Sequence, residues 1–278
     1  MQTLSPAQIA ELEALARKVR RQVVEMFAVA GGGHFGGSLS VVEILVTLYG
    51  AVLRIDPTNP RWPDRDRLVL SKGHAGGTFC AVLANAGFFE ERLLETFNKL
   101  DSPFGMHPDM HKIPGCDMSS GSLGHGLAIG VGMALAGRAD GRDYRVYVVM
   151  GDGECQEGTV WEAAAIAAHL RLDRLTAIVD RNRLSYDGNT EEINALEPLG
   201  ERWRAFGWHV VHVDGHNIQE IYRGIQEAHA TRGRPTVLLA HTVKGKGISF
   251  MEDKPQFHYA TLSAEQLEAA QTELGRER

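Results

Sequence analysis

The chain has 278 residues, 44% hydrophobic and 23% charged, an ordinary globular composition with ample length to bury a core. Its formal net charge of −6 and the lack of any basic block give no footing for nucleic acid. Three scattered cysteines (Cys80, Cys116 and Cys155), no signal sequence and no membrane-length apolar run point to a soluble, cytoplasmic protein and argue against a cysteine zinc site.

The first segment predicts an amphipathic helix. Ser5 caps it, Pro6 takes the first helical position and Gln8 completes a capping box. Leu12, Leu15, Val19, Val23 and Phe27 then recur at spacings of three and four. In the following "GGGHFGGSLS", Gly31, Gly33 and Gly36 satisfy Gly-x-Gly-x-x-Gly. A dinucleotide fingerprint requires a strand before its glycines, and a helix precedes these. The run therefore reads as a loop carrying His34, not as a nicotinamide site. "VVEILVTLYGAVL" predicts a helix, "DPTNPRWPDRD" a turn-rich connection, and "RLVLSKGHA" a short strand entering a Gly-His loop. "GGTFCAVLANAG" and "EERLLETFNKL" predict two more helices. Residues 101–121 form a long irregular stretch rich in Pro, Gly, His and Met, and such a loop points to function. "SLGHGLAIGVGMALAGRA" reads as a small-residue helix.

Beyond it the pattern becomes regular. "YRVYVVM", "RLTAIVD", "WHVVHVDG" and "RPTVLLAHTV" read as strands, alternating with the helices "GTVWEAAAIAAHLRL", "EPLGERWRAFG" and "IQEIYRGIQEAHA". "SAEQLEAAQTELGRER" closes the chain as a polar helix. The alternation predicts an α/β fold of three layers, a mostly parallel sheet flanked by helices. No linker is visible, so residues 1–278 read as one domain with irregular N-terminal additions.

Polar chemistry gathers at the strand ends: "SKGHA", "GDGECQEG", "DRNRLSYDG" and "HTVKGKG". Open α/β sheets bind ligands outside the carboxyl ends of their strands, so these segments predict one site. In "GDGECQEG" the glycines allow a tight turn, and the helix that follows offers free N–H groups to an anion. Asp152 is then placed to ligate a hard cation bridging that anion, with Asn182 supplying an amide oxygen and Leu184 a carbonyl. Mg²⁺ takes one or two carboxylates in such sites and shares the rest with phosphate oxygens. Taken alone, Gly-Asp-Gly is equally an ordinary capped turn.

Asn182 follows Gly153 by one helix and one strand, and that arrangement resembles the thiamine diphosphate motif. The segment from "GDGECQEG" to "SYDG" is similar to its transketolase version. "GGHFGGSLS", "LSKGHA", "MHPDMHKIPGCDMSSGSLGHG" and "VDGHN" extend the resemblance in order, from the first helix to about His258. The resemblance implies thiamine diphosphate and Mg²⁺ (or Ca²⁺ or Mn²⁺) as cofactors. Asp152, Asn182 and the Leu184 carbonyl would hold the metal. Gly153, His74 and Asn182 would stand beside the diphosphate, Gly121 and Leu123 along the cofactor's bend and rings, and Lys244 over the site. His34, His107 and His258 would face substrate as catalytic groups, neutral imidazoles suited to proton movement near pH 7. Glu157 matches a family glutamate at the contact between chains. His111, His169, His209, His212 and His241 receive no role.

The implied reaction moves a two-carbon ketol unit from a ketose or ketose phosphate to an aldose or aldose phosphate. Three departures stand out: Phe35 where the family has Pro, His125 where it has Gln, and an early stop. The pyrimidine-binding and C-terminal domains of a full transketolase are expected on a partner chain, in an α2β2 assembly active only when both chains are present. Four alternatives remain open. Two keep the cofactor, as a 1-deoxyxylulose-5-phosphate synthase-like or a 2-oxoacid dehydrogenase α-like chain. The others are a metal-dependent phosphohydrolase and a non-catalytic chain that kept the fold.

Overall fold

In the computed structural model, which describes residues 3–275, helix α1 (Pro6–Ala30) carries the capping box of Ser5 and Gln8 and buries Leu12, Val19, Val23 and Phe27. It ends on Gly31 in the left-handed conformation. The glycine run that follows departs from the expected loop, because residues Phe35–Ser40 form a short buried helix, α2. The reason is Phe35, which lies in the core with its ring edge-on to Phe27 at 5.0 Å and draws the turn inward. Helix α3 (Val42–Thr47) runs into a π-helical turn, Leu48–Val52. Strand β1 (Arg67–Leu70) passes through a tight turn, Gly73–Ala75, to α4 (Gly76–Asn85). The helix expected over 90–100 is only a 3-10 segment, Glu91–Thr96, and Asn98 and Asp101 at positive φ prevent its continuation.

Then follow α5 (His125–Ala139), β2 (Val146–Gly151), α6 (Gly158–His169), β3 (Leu175–Arg181), α7 (Thr190–Ile193) and α8 (Leu199–Ala205). Strand β4 (His209–Asp214), α9 (Ile218–Ala230), β5 (Thr236–His241) and α10 (Ala264–Glu273) complete the order.

Every strand pair is parallel, in the order β1-β2-β3-β5-β4. Side chains alternate between two cores with the period of two that a strand imposes. Leu68, Leu70, Tyr147, Val149, Ile178 and Leu238 pack with α1, α3, α4 and α9. Val69, Val146, Val148, Leu175, Ala177 and Val237 pack with α5, α6 and α8. Because both faces are covered, β2 reads as an apolar run up to Met150 and β3 is buried along its whole length. The N-terminal helices are thus one of the three layers, not an irregular addition. Cys80, Cys116 and Cys155 are buried free thiols. Among the described residues no helix is long and apolar enough to cross a membrane.

Candidate active site

All strands point the same way, so the polar segments after β1, β2, β3 and β5 meet at one edge of the sheet. A cavity of about 290 Å³ opens there, lined by His74, Leu123, Asp152, Gly153, Glu157, Asn182, Leu184, Lys244 and His258 among others. Larger hollows elsewhere, such as the one beside Arg61 and Lys112, gather none of the predicted site residues.

One wall of this cavity is acidic and rigid. Asp152 is buried; its Oδ2 accepts from Arg181 Nη1 (3.0 Å) and from the Arg183 amide (2.5 Å), and its Oδ1 from the Gly153 amide (2.8 Å). Burial and the nearby Asp180 push its carboxyl up, against the pull of Arg181. Arg181 also donates to Glu191 and Glu197, so its own charge is fully compensated. Asn182 Oδ1 accepts from the Leu184 amide at 3.1 Å. The expected anion cradle differs in one respect. A 3-10 turn, Gly153–Gln156, separates Asp152 from α6, and the Gly153 amide is taken by the Asp152 carboxylate, which caps that turn.

The opposite wall is imidazole. His34 forms a triangle with His74 and His258, with ring centroids at 5.6 and 5.7 Å, and has His107 at 6.0 Å and Tyr259 at 4.9 Å. His74 and His258 stack at 5.2 Å. Burial, with the neighbouring His107 and the Lys244 charge, lowers His34 to about 4. Burial followed by Lys244 lowers His258 to about 3, and burial holds His74 well below the usual histidine range. These three imidazoles are therefore neutral at pH 7. His34 Nδ1 is buried without a hydrogen-bond partner, an atom still short of one.

Lys244 joins the two walls. Its ammonium donates to the carbonyls of Leu184 (2.7 Å) and Ser185 (2.9 Å) and to His258 Nδ1 (2.9 Å). An ammonium only donates, so neutral His258 carries its proton on Nε2. Burial and the nearby Lys72 charge lower Lys244 to about 8.

The structure brings Asp152, Gly153, Glu157, Asn182, Leu184, His74, Leu123, Lys244 and His258 onto the cavity wall. His34, His107 and Gly121 sit beside it, not in its lining; Gly121 faces the His107 ring. Leu123, Glu157, Gly121 and His107 are exposed, which leaves that side of the cavity open. His125, where the resemblance breaks, is exposed and turned back onto the Leu123 carbonyl.

Several residues escaped the sequence reading. Lys72 and Asp180 form a fully buried ion pair beneath α2, in which Lys72 also donates to the Gly37 carbonyl (2.8 Å) and Asp180 accepts from Ser40 (2.6 Å) and Thr242. Burial would raise Asp180, but the Lys72 charge and these hydrogen bonds outweigh it and hold the carboxyl low. Glu154 ties three motif loops together by accepting from Ser71 and from the amides of Gly124 (2.8 Å) and Gly151 (3.1 Å). The only signal was that "SKGHA", "IVDRNR" and "GDGE" hold charges at strand ends.

The donor set suits a hard cation beside an anionic ligand. It offers one carboxylate, one amide oxygen and one carbonyl, and that carbonyl already receives a positive charge from Lys244. Gly37 keeps the cradle open, since a Cβ there would lie 2.8 Å from His74 Nε2 and 3.5 Å from Lys72 Nζ.

Residues 12–278 match the family described as "Transketolase, thiamine diphosphate binding domain". Among curated relatives, the 6-deoxy-6-sulfo-D-fructose transketolase subunit SqwG of Clostridium sp. (strain MSTE9) is 47% identical, covering 96% of this chain and 97% of that one. An apulose-4-phosphate transketolase subunit of Phocaeicola vulgatus is 41% identical, covering 96% and 95%. Transketolase of Homo sapiens is 40% identical over 89% of this chain, but the match spans only 39% of the human protein. Among solved structures, transketolase from Leishmania mexicana superposes with a TM-score of 0.90 at 29% identity, over 99% of this chain and 42% of that one. Transketolase from Pichia stipitis in complex with sedoheptulose 7-phosphate gives 0.89 at 31% identity, over 95% and 40%.

Proposed function

The chain belongs to the transketolase family, as its thiamine diphosphate-binding domain, and from that premise we propose that it is the diphosphate- and metal-holding subunit of a two-chain ketol transferase. The observation that carries this reading is the meeting of Asp152, Asn182 and the Leu184 carbonyl with the neutral imidazoles of His74 and His258 in one small cavity, with His34 packed against both rings beside it.

In this reading Asp152, Asn182 and Leu184 hold Mg²⁺, or Ca²⁺ or Mn²⁺ in its place. His74, Gly153, Asn182 and Lys244 attend the diphosphate, and Gly121 and Leu123 its rings. Bound thiamine diphosphate supplies the electron sink for breaking and remaking a carbon–carbon bond. His34, His107 and His258 receive and return protons at the hydroxyls of the sugar. The low proton affinity of His34 keeps it in the base form at neutral pH, while His258, whose Nδ1 is taken by Lys244, presents its Nε2 proton. The Lys244 ammonium, resting on Leu184 and Ser185, is a buried charge within reach of an arriving anion.

Two features support a partner chain, for which an α2β2 arrangement is proposed. The relatives matched over 97% and 95% of their own length are named as transketolase subunits. The cavity is open at Leu123 and Glu157, where a pyrimidine-binding partner would complete it. Both of those relatives are named for sugars with an anionic end, a sulfo group or a phosphate, so an anionic ketose is the proposed donor class. Three buried, unpaired thiols suit a reducing cytoplasm.

Calorimetry on the assembled enzyme tests the metal assignment. Loss of an outer-shell partner alone costs roughly 10–100-fold in metal affinity. Asp152→Ala, which removes a direct ligand, is therefore expected to weaken Mg²⁺-dependent thiamine diphosphate binding by about a hundredfold or more. Unchanged affinity would remove Asp152 from the metal site.

A further inference from the structure

His216, in the "VDGHN" segment, takes no part in the site described above, yet its imidazole is engaged on both sides. Nε2 accepts the Val243 amide at 2.8 Å, and Nδ1 lies 3.0 Å from Glu43 Oε2. A backbone amide only donates, so Nε2 is the bare nitrogen and Nδ1 carries the proton to the carboxylate.

Glu43, on α3, is gripped in turn by Arg20 of α1. Arg20 Nη1 donates to Oε1 at 2.5 Å and Nη2 to Oε2 at 2.8 Å, a two-pronged pair with both residues buried. Burial alone would raise Glu43, but the His216 hydrogen bond and the Arg20 charge outweigh it and hold the carboxyl at about 2. The third donor of Arg20, Nε, goes to the Lys246 carbonyl at 3.0 Å. Gly247, at φ +94°, lets the backbone lie against this guanidinium, since a Cβ there would sit 2.9 Å from Arg20 Cδ. The residue before Lys244 and the residue two after it are thus both tied to one network rooted in α1 and α3.

We propose that His216 is a positioning residue for Lys244. Through the Val243 amide, and with Arg20 acting through the Lys246 carbonyl, it fixes the turn at 243–246 so that the ammonium reaches Leu184, Ser185 and His258. The value of this to the cofactor rests on the function proposed above; the mechanical coupling does not.

The coupling has a chemical signature. In Glu43→Gln one of the two acceptor oxygens becomes an NH₂, so either Arg20 Nη1 or the Arg20 Nη2 and His216 Nδ1 pair loses its acceptor. A neutral, isosteric change on α3, which touches neither Lys244 nor the cavity, therefore loosens one of the two anchors of the turn at 243–246.

Amide hydrogen exchange on the full chain without cofactor tests this. His216→Ala is expected to speed exchange at Val243 by about tenfold, the worth of one hydrogen bond, and Glu43→Gln to speed exchange within 242–247, while β2 and β3 keep their protection. His216→Gln, whose side-chain carbonyl reaches the same amide, should restore most of it. In the assembled enzyme, His216→Ala should raise the Kd for thiamine diphosphate severalfold and leave the sugar KM unchanged. Unaltered protection at 242–247 in both variants overturns the proposal, as does a rise spread equally over the sheet, which marks a merely structural residue. If His216→Ala does not fold, Glu43→Gln decides alone. A loosened turn with unchanged cofactor affinity upholds the positioning and instead removes Lys244 from the cofactor's contacts.

Discussion

The two walls of the cavity are built on opposite principles. On the acidic wall the buried charges are paired: Asp152 sits on Arg181, and Arg181, with only its Nε unbonded, also reaches Glu191 and Glu197. On the imidazole wall His34, His74 and His258 are neutral and packed ring to ring, and one nitrogen of His34 has no partner. Rigid, compensated charge suits an ion and a diphosphate that stay in place through turnover. Neutral, under-bonded imidazoles suit a substrate that arrives, exchanges protons and leaves.

The contrast is broken most sharply by removing an imidazole. His107→Ala and His34→Ala should each lower kcat/KM by about 10²–10⁴-fold with thiamine diphosphate affinity unchanged, the reverse of the Asp152→Ala pattern. If affinity falls in parallel with rate, the two walls do not divide the work in this way. Stability comes next. Phe35→Ala should cost about 3–5 kcal/mol in denaturant unfolding, because the ring is a core residue against Phe27 and not part of the substrate wall. A stable variant with an altered sugar KM would return Phe35 to the site.

The smallest effect is the pH dependence of stability in the cofactor-free chain. His34 and His258 stand at about 4 and about 3, below their ordinary 6.5. Between pH 6.5 and 4 the unfolded chain binds protons that the folded chain refuses, so stability falls as pH drops through that window. His258→Asn should flatten the slope of Tm against pH there; an unchanged slope would mean that the imidazole is not held neutral by its surroundings.

The walls also differ in how far the sequence reveals them. Asp152 and Asn182 flank a single helix-and-strand unit, so their spacing is local and legible. His34, His74, His107 and His258 are spread over most of the chain, and only resemblance to a family joined them. The five strands and their parallel sense follow from alternation and apolar runs. Phe35 misled, because a glycine-rich segment reads as loop until the aromatic ring that buries it is known. Lys72, Asp180 and His216 stayed hidden because a buried charge or imidazole is recognised by its partner. That partner is far off in the chain, 108 residues between Lys72 and Asp180 and 173 between His216 and Glu43.

The central claim, that this chain brings the metal and diphosphate half of a shared active site, is tested by mixing. Rigorously purified chain with thiamine diphosphate and Mg²⁺ should transfer no ketol group from an anionic ketose to an aldose. Adding the partner chain that carries a pyrimidine-binding domain, sought first in the adjacent reading frame, should produce transfer. Full activity from the lone chain would contradict the account.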